Sequence, residues 1–149
     1  MRVEELMTKD VMTCREHDSL ATAARIMWEC DCGIVPVVDG EGHLVGTITD
    51  RDVCMAAFTQ GRTLDQIPVS TASSKIVYSV KPDDSLGAAE ALMRDGSVRR
   101  LPVVDGEGRV RGLLSLADLA RRSQSHSRSD GASATAIART LAAISRPRA

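Results

Sequence analysis

The sequence predicts an α+β fold made from one unit used twice, and three observations carry that prediction. The phrase PVVDGEG stands at 36 to 42 and again at 102 to 108. Each copy follows a segment with helical spacing of apolar residues and precedes a β-branched run that leads into a second helix. Sliding the chain by 66 positions lays residues 8–53 over 74–119 without a gap, with 16 of 46 positions identical. Unrelated sequences of ordinary composition would match at about three.

The elements follow in the same order in both copies: strand, helix, strand, turn, strand, helix. Asp18 and Asp84 stand where a side chain can N-cap a helix. Leu20, Ala23, Ala24 and Met27, like Leu86, Ala89 and Met93, then recur at helical spacing, so one face of each helix is buried. IVPVV and RLPVV are β-branched runs, and Pro36 and Pro102 point to an edge strand because proline cannot donate to a ladder. Asp39-Gly40 and Asp105-Gly106 supply a tight turn in which glycine takes up positive φ. HLVGTIT and RVRGLLS form the next strand and lead into helices that begin at Asp50 and Leu116.

One such unit buries too little apolar surface to stand alone, so the copies are expected to pack on each other about a pseudo-twofold axis. The boundaries read as a first repeat at 3–58, a linker at 59–73, a second repeat at 74–122, and a polar spacer with a tail helix at 123–149. In that tail Ile137, Leu141 and Ile144 recur at helical spacing.

Composition narrows the function. With 43% hydrophobic residues in 149, the chain can fold without staples. Trp28, Phe58 and Tyr78 are its only aromatic residues, too few for the stacking platforms that hold single-stranded nucleic acid. No run of 18 apolar residues exists and the N-terminus is too acidic for a secretory signal, so no membrane segment and a cytoplasmic location are expected. Cys14, Cys30, Cys32 and Cys54 include no Cys-x-x-Cys pair, so they read as buried, inert thiols with no bound metal. Residues 121–149 carry six Arg against one Asp, which leaves −6 on the rest of a chain whose net charge is −1 (−1 − 5 = −6). Those arginines are dispersed among Ser and Ala, and a nucleic-acid partner is not expected.

No catalytic constellation is legible. His17, His43 and His126 are scattered over a helix start, a turn tip and the tail, and read as solvated surface residues. There is no Walker A string and no G-x-G-x-x-G. What recurs is a glycine, a hydroxyl three residues on and an aspartate three further: Gly46, Thr49, Asp52 and Gly112, Ser115, Asp118. At a strand-to-helix junction this is the pattern of a capping box. The same geometry can hold a phosphate on hydroxyl and N–H groups at the helix start, with the carboxylate accepting from the hydroxyls of a ribose. The two readings are compatible.

The ordered set DSL, apolar-Pro-Val-Val-Asp and G-x-x-[Thr/Ser]-x-x-Asp, present twice at constant offset, resembles tandem CBS domains, the Bateman module, in its small stand-alone bacterial form. The resemblance covers about residues 3–122. It implies a cleft between two repeats that binds adenosine-containing ligands such as AMP, ADP, ATP, NAD or S-adenosylmethionine as regulators, with no further cofactor. It implies composite sites. One would combine Thr49, Arg51 and Asp52 with Val77, Tyr78, Val98, Arg99 and Arg100; the other would combine Ser115 and Asp118 with Val11, Met12, Cys32, Gly33 and Ile34. The first is rich in arginine, whose planar fork suits phosphate oxygens, so it is expected to take the more charged nucleotide. The sequence departs from the family where SSKIVYSV opens the second repeat and Tyr78 replaces Met12, leaving Tyr78 either to stack on adenine or to fill the pocket.

The function expected from these readings is a non-enzymatic sensor that binds an adenine nucleotide and passes the signal to an effector protein or to its own oligomer. A homodimer is expected by resemblance, with the tail helix contacting either the second subunit or its own core. The alternative is a structural or stress-related homodimer with vestigial clefts that acts through protein–protein contacts.

Overall fold

The computed structural model describes residues 1–125 and 134–145. A two-residue strand β1 (Thr8–Lys9) precedes helix α1 (Leu20–Cys30), strands β2 (Ile34–Val38) and β3 (Leu44–Thr49) and helix α2 (Asp50–Gln60). The second copy gives α3 (Leu86–Gly96), β4 (Arg100–Val104), β5 (Val110–Ser115) and α4 (Leu116–Ser125), and α5 (Ala134–Ile144) follows. The α+β class, the repeat and the two helix starts at Asp50 and Leu116 are those read from the sequence. His126 and most of the polar spacer lie outside the described residues.

The caps of the first helices fall one residue later than the aspartates suggest. Ser19 and Ser85 are the N-caps, accepting from the N–H groups of Thr22 and Ala88. Asp18 and Asp84 instead accept from the N–H groups of Arg15 and Lys81, each at 2.8 Å, and so close the turn that leads into the helix. The DSL motif thus spends its carboxylate on the turn and its hydroxyl on the cap. The turn between the middle strands is also corrected. Positive φ falls at Gly42 (89°) and Gly108 (84°), not at Gly40 or Gly106. Asp39 Oδ1 organises the first of these turns by accepting from the N–H groups of Glu41 and His43, both at 2.9 Å.

The residues group into two compact units. One holds Met12–Val77 with Glu107–Val110; the other holds Met1–Val11, Tyr78–Gly106 and the chain from Arg111 onward. In the first unit β2 and β3 pair antiparallel, Ile34 opposite Thr49 and Val37 opposite Gly46. All five residues of β2 are buried. The strand expected before α1 is a single parallel bridge between Cys14 and Val37, and its counterpart before α3 joins Val80 to Val103. Pro36 is tolerated because the bridge takes only its carbonyl, to which Cys14 N–H donates at 3.1 Å, while the return bond to Cys14 C=O comes from Val38 N–H at 2.8 Å.

Leu20, Ala23, Ile26, Met27, Val35 and Ile48 form the centre of that unit's core. Ile67 and Val69, from the segment that joins the repeats, are fully buried in it. Backbone bonds from Leu20 N–H to Ile67 C=O and from Val69 N–H to Asp18 C=O fasten the segment beside the start of α1. The connecting segment is therefore part of the packing, and its Ile-Pro-Val triplet is the signal for it.

In the other unit Leu86, Met93, Leu101, Leu114 and Leu119 are fully buried, together with Val3 from the N-terminal turn. Strand order is β1-β5-β4, with Thr8 opposite Leu113. Helix α5 packs on α3 and α4. Of the three apolar residues at helical spacing, Ile137 and Ile144 lie against the core, but Leu141 is 45% exposed. Thr140 takes the inward position and is fully buried. A threonine can do so because both bonding roles of its hydroxyl are filled: it donates to Ala136 C=O at 3.0 Å and accepts from Arg94 Nη1 at 3.1 Å.

Candidate functional site

Strand β3 ends at Thr49 and helix α2 begins at the next residue. Thr49 Oγ1 accepts from Asp52 N–H at 3.1 Å, and Asp52 Oδ2 accepts from Thr49 N–H at 2.9 Å, a reciprocal capping box. Asp52 Oδ1 has no partner among the described residues. Gly33 and Ile34 lie beside this junction: Gly33 C=O accepts from Asp50 N–H at 3.1 Å and Ile34 pairs with Thr49. Arg51 is exposed in the first turn of α2. Ser74 exchanges both backbone bonds with Thr47, two residues before Thr49, and Val77, three residues after Ser74, is half-buried in the same unit. Met12, 50% exposed, and the half-buried Cys32 belong to the same unit.

The other unit repeats the junction. Ser115 Oγ accepts from Asp118 N–H at 3.1 Å and Asp118 Oδ2 from Ser115 N–H at 2.9 Å. Arg99 C=O accepts from Leu116 N–H at 2.8 Å, the counterpart of the Gly33 bond. Here the second carboxylate oxygen is engaged: Asp118 Oδ1 is paired with Arg121 Nη2. Arg121 lies outside the repeated motif, although its place three residues after Asp118 on a helix is a sufficient signal. Arg99 is exposed and Arg100 half-buried, and neither guanidinium has an ion pair among the described residues. Val98 and Val11 are half-buried in this unit. Tyr78, 37% exposed, lays its ring against the end of α3, where a Cβ on Gly96 would stand 2.9 Å from it.

The candidate residues therefore fall on both units, and within each unit one hydroxyl–carboxylate pair stands at a helix start beside a strand from its own repeat. A free carboxylate oxygen next to helix N–H groups can accept from the hydroxyls of a sugar, while the helix start favours an anion.

The cysteines correct the sequence reading in part. Cys14 is buried, and burial pushes its thiol up to about 12, with the Asp18 carboxylate adding to the rise. Cys30 and Cys54 are exposed. At the turn tip, His43 Nδ1 lies 3.1 Å from Asp39 Oδ2 and 3.5 Å from Glu41 Oε2. Asp39 is held below the usual carboxylate range, chiefly by the His43 backbone N–H.

The family model for the CBS domain matches residues 3–58 and 69–125. The chain belongs to the CBS-domain family. The CBS pair is in general a regulatory, non-catalytic module. A CBS domain-containing protein of Bacillus subtilis, YhcV, is 39% identical over 118 residues, 79% of this chain and 82% of that one. Among solved structures, the CBS domain pair of protein MJ0100 in complex with 5′-methylthioadenosine and S-adenosyl-L-methionine is similar with TM-score 0.76 and 25% identity, over 84% of this chain and 97% of that one. CBSX2 in complex with AMP is similar with TM-score 0.73 and 25% identity, over 85% of this chain and 98% of that one. No described helix of this CBS pair is long and apolar enough to cross a membrane.

Proposed function

We propose that the chain is a non-enzymatic sensor of an adenosine-containing ligand, and that Thr49 and Asp52 are the centre of its main site. The observation that carries this reading is the asymmetry of the two junctions. Asp52 keeps one oxygen open beside the helix start, whereas the equivalent oxygen of Asp118 is held by Arg121. The ribose hydroxyls would go to Asp52 and a phosphate to Thr49 and the first N–H groups of α2, with Arg51 in the first turn of that helix as the cation available to a charged nucleotide. The Ser115 and Asp118 junction takes a less charged adenosine compound or none. Two CBS pairs of the same fold bind AMP, S-adenosyl-L-methionine and 5′-methylthioadenosine, which supports the ligand class. The signal passes to a second copy of the chain in the cytoplasm or to a separate effector.

Thermal unfolding with AMP, ADP, ATP, NAD and S-adenosylmethionine tests the proposal. A ligand present at 100 times its dissociation constant stabilises by about 2.7 kcal/mol, several degrees for a chain of this size. The expected result is a selective shift with one ligand, lost in Asp52→Ala. The same shift retained in Asp52→Ala would overturn the assignment of the site.

A further inference from the structure

The two junctions are built alike up to their aspartates and differ one helical turn beyond. Asp118 Oδ1 is paired with Arg121 Nη2, the one ion pair of Arg121 among the described residues. The offset of 66 carries Arg121 onto Met55 (121 − 66 = 55). Residues three apart share a helix face, so position 55 stands to Asp52 as Arg121 stands to Asp118. A thioether has no N–H to give a carboxylate, and Met55, 43% exposed, leaves Asp52 Oδ1 open. The Arg121 side chain is 70% exposed and that of Asp118 12%. The guanidinium therefore covers the carboxylate from the solvent side, the side from which a dissolved ligand must come.

We propose that Arg121 is an internal stopper: it takes the oxygen of Asp118 that a ribose hydroxyl needs, and it is the residue that decides which of the two junctions accepts an adenosine compound. This inference rests on the reading of Asp52 and Asp118 as ribose acceptors. The second junction is then latent, because its capping box has the same 3.1 Å and 2.9 Å bonds as the first. Guanidinium and ribose are donors in competition for one oxygen, and the charged donor makes the stronger bond. The pair is nonetheless reversible. An exposed cation on a carboxylate is held more weakly as salt screens it, so ionic strength controls how far Asp118 is open to a neutral ligand. Asp52 has no such control, since Met55 carries no charge.

The test is calorimetric titration of the full chain with adenosine, which carries the ribose hydroxyls and no phosphate, so that salt acts on the ion pair and not on a charge of the ligand. Asp52→Asn silences the first junction. In that background Arg121→Met, which copies the first repeat, is expected to tighten adenosine about tenfold. Raising sodium chloride from about 0.01 M to about 1 M shortens the Debye length from about 30 Å to about 3 Å. With Arg121 in place this is expected to tighten adenosine about twofold or more, relative to the Arg121→Met protein at the same salt. The reverse exchange, Met55→Arg in the native chain, is expected to weaken adenosine at Asp52 about tenfold and to make the remaining binding rise with salt. Unchanged binding, or none, in Arg121→Met would overturn the proposal. So would weaker binding, which would make Arg121 a ligand contact. Failure of the Asp52 reading looks different: the native chain and Asp52→Asn then take up adenosine alike, whatever stands at position 121.

Discussion

The carbonyl oxygen of Thr8 lies 2.5 Å from the point that a Cβ on Gly112 would occupy. The offset of 66 carries Thr8 to Ser74 and Gly46 to Gly112, and Ser74 C=O stands 2.8 Å from the Cβ point of Gly46. The segment that leads into each repeat therefore runs over the last strand of the other, and the glycine that opens each G-x-x-[Thr/Ser]-x-x-Asp motif is there to let a backbone pass. Gly112→Ala and Gly46→Ala are each expected to cost about 1–3 kcal/mol, the usual price of overpacking. Gly40→Ala, where the nearest atom is 3.7 Å away on the Arg15 side chain, should change stability by less than about 0.5 kcal/mol. Urea unfolding of the three variants checks this.

Capping and binding can be separated at Asp52. An amide at that position still offers an oxygen to Thr49 N–H, so Asp52→Asn is expected to lose less than about 1 kcal/mol of stability. It also loses the charge that accepts strongly from ribose hydroxyls, and ligand affinity is expected to fall about tenfold or more. Thr49→Ala removes the cap itself and should cost about 0.5–2 kcal/mol without ligand. Denaturation and titration of the same two variants give both numbers.

Glu90 sets a pH dependence. It is 4% exposed on α3, and burial raises its carboxyl pKa above the ordinary value of 4.5 while the Arg94 guanidinium, 3.8 Å away, pulls it down. The folded state thus holds this proton more tightly than the unfolded chain, so the stabilising contribution is full below pH 4.5 and is lost as pH rises through the folded pKa. Glu90→Gln copies the neutral form. The variant is expected to equal or exceed the native chain in melting temperature at neutral pH and to lose the part of the pH slope that lies just above the ordinary carboxylate range. Melting curves taken from acid to neutral pH measure the difference.

The four thiols should separate under native conditions. Cys30 and Cys54 are exposed and are expected to react promptly with a thiol reagent at mildly alkaline pH. Cys14 is buried with its thiol pushed up to about 12, so it should react only as fast as the chain opens. A time course followed by peptide mass spectrometry reads each cysteine separately.

The repeat made most of the fold legible. Helix starts at Asp50 and Leu116, the two capping boxes and the β2 strand all follow from period, β-branching and a hydroxyl three residues before a carboxylate, whereas the full burial of β2 does not. What stayed hidden lies where neighbouring residues compete for one role. Asp18 and Ser19 can both cap α1, and only the placement of Arg15 N–H decides that the carboxylate turns back. Leu141 is the more apolar candidate for the inner side of α5, yet Thr140 takes it because Arg94 reaches over to satisfy its hydroxyl. Ile67 and Val69 sit in a stretch too short and polar to show a period, and their burial comes from long-range packing. At the candidate site the motif named Asp52 and Asp118 alike; their difference lies in Arg121, whose side chain the periodic pattern does not rank.

The central claim is that Thr49 and Asp52 hold an adenosine-containing ligand, and calorimetric titration of AMP into the full chain tests it most directly. The account predicts a saturable heat, abolished or strongly weakened in Asp52→Asn and reduced in Arg51→Ala, with all three proteins folded. No saturable heat from AMP, ADP, ATP, NAD or S-adenosylmethionine at millimolar ligand would contradict it and favour a vestigial cleft in a chain that acts through protein contacts.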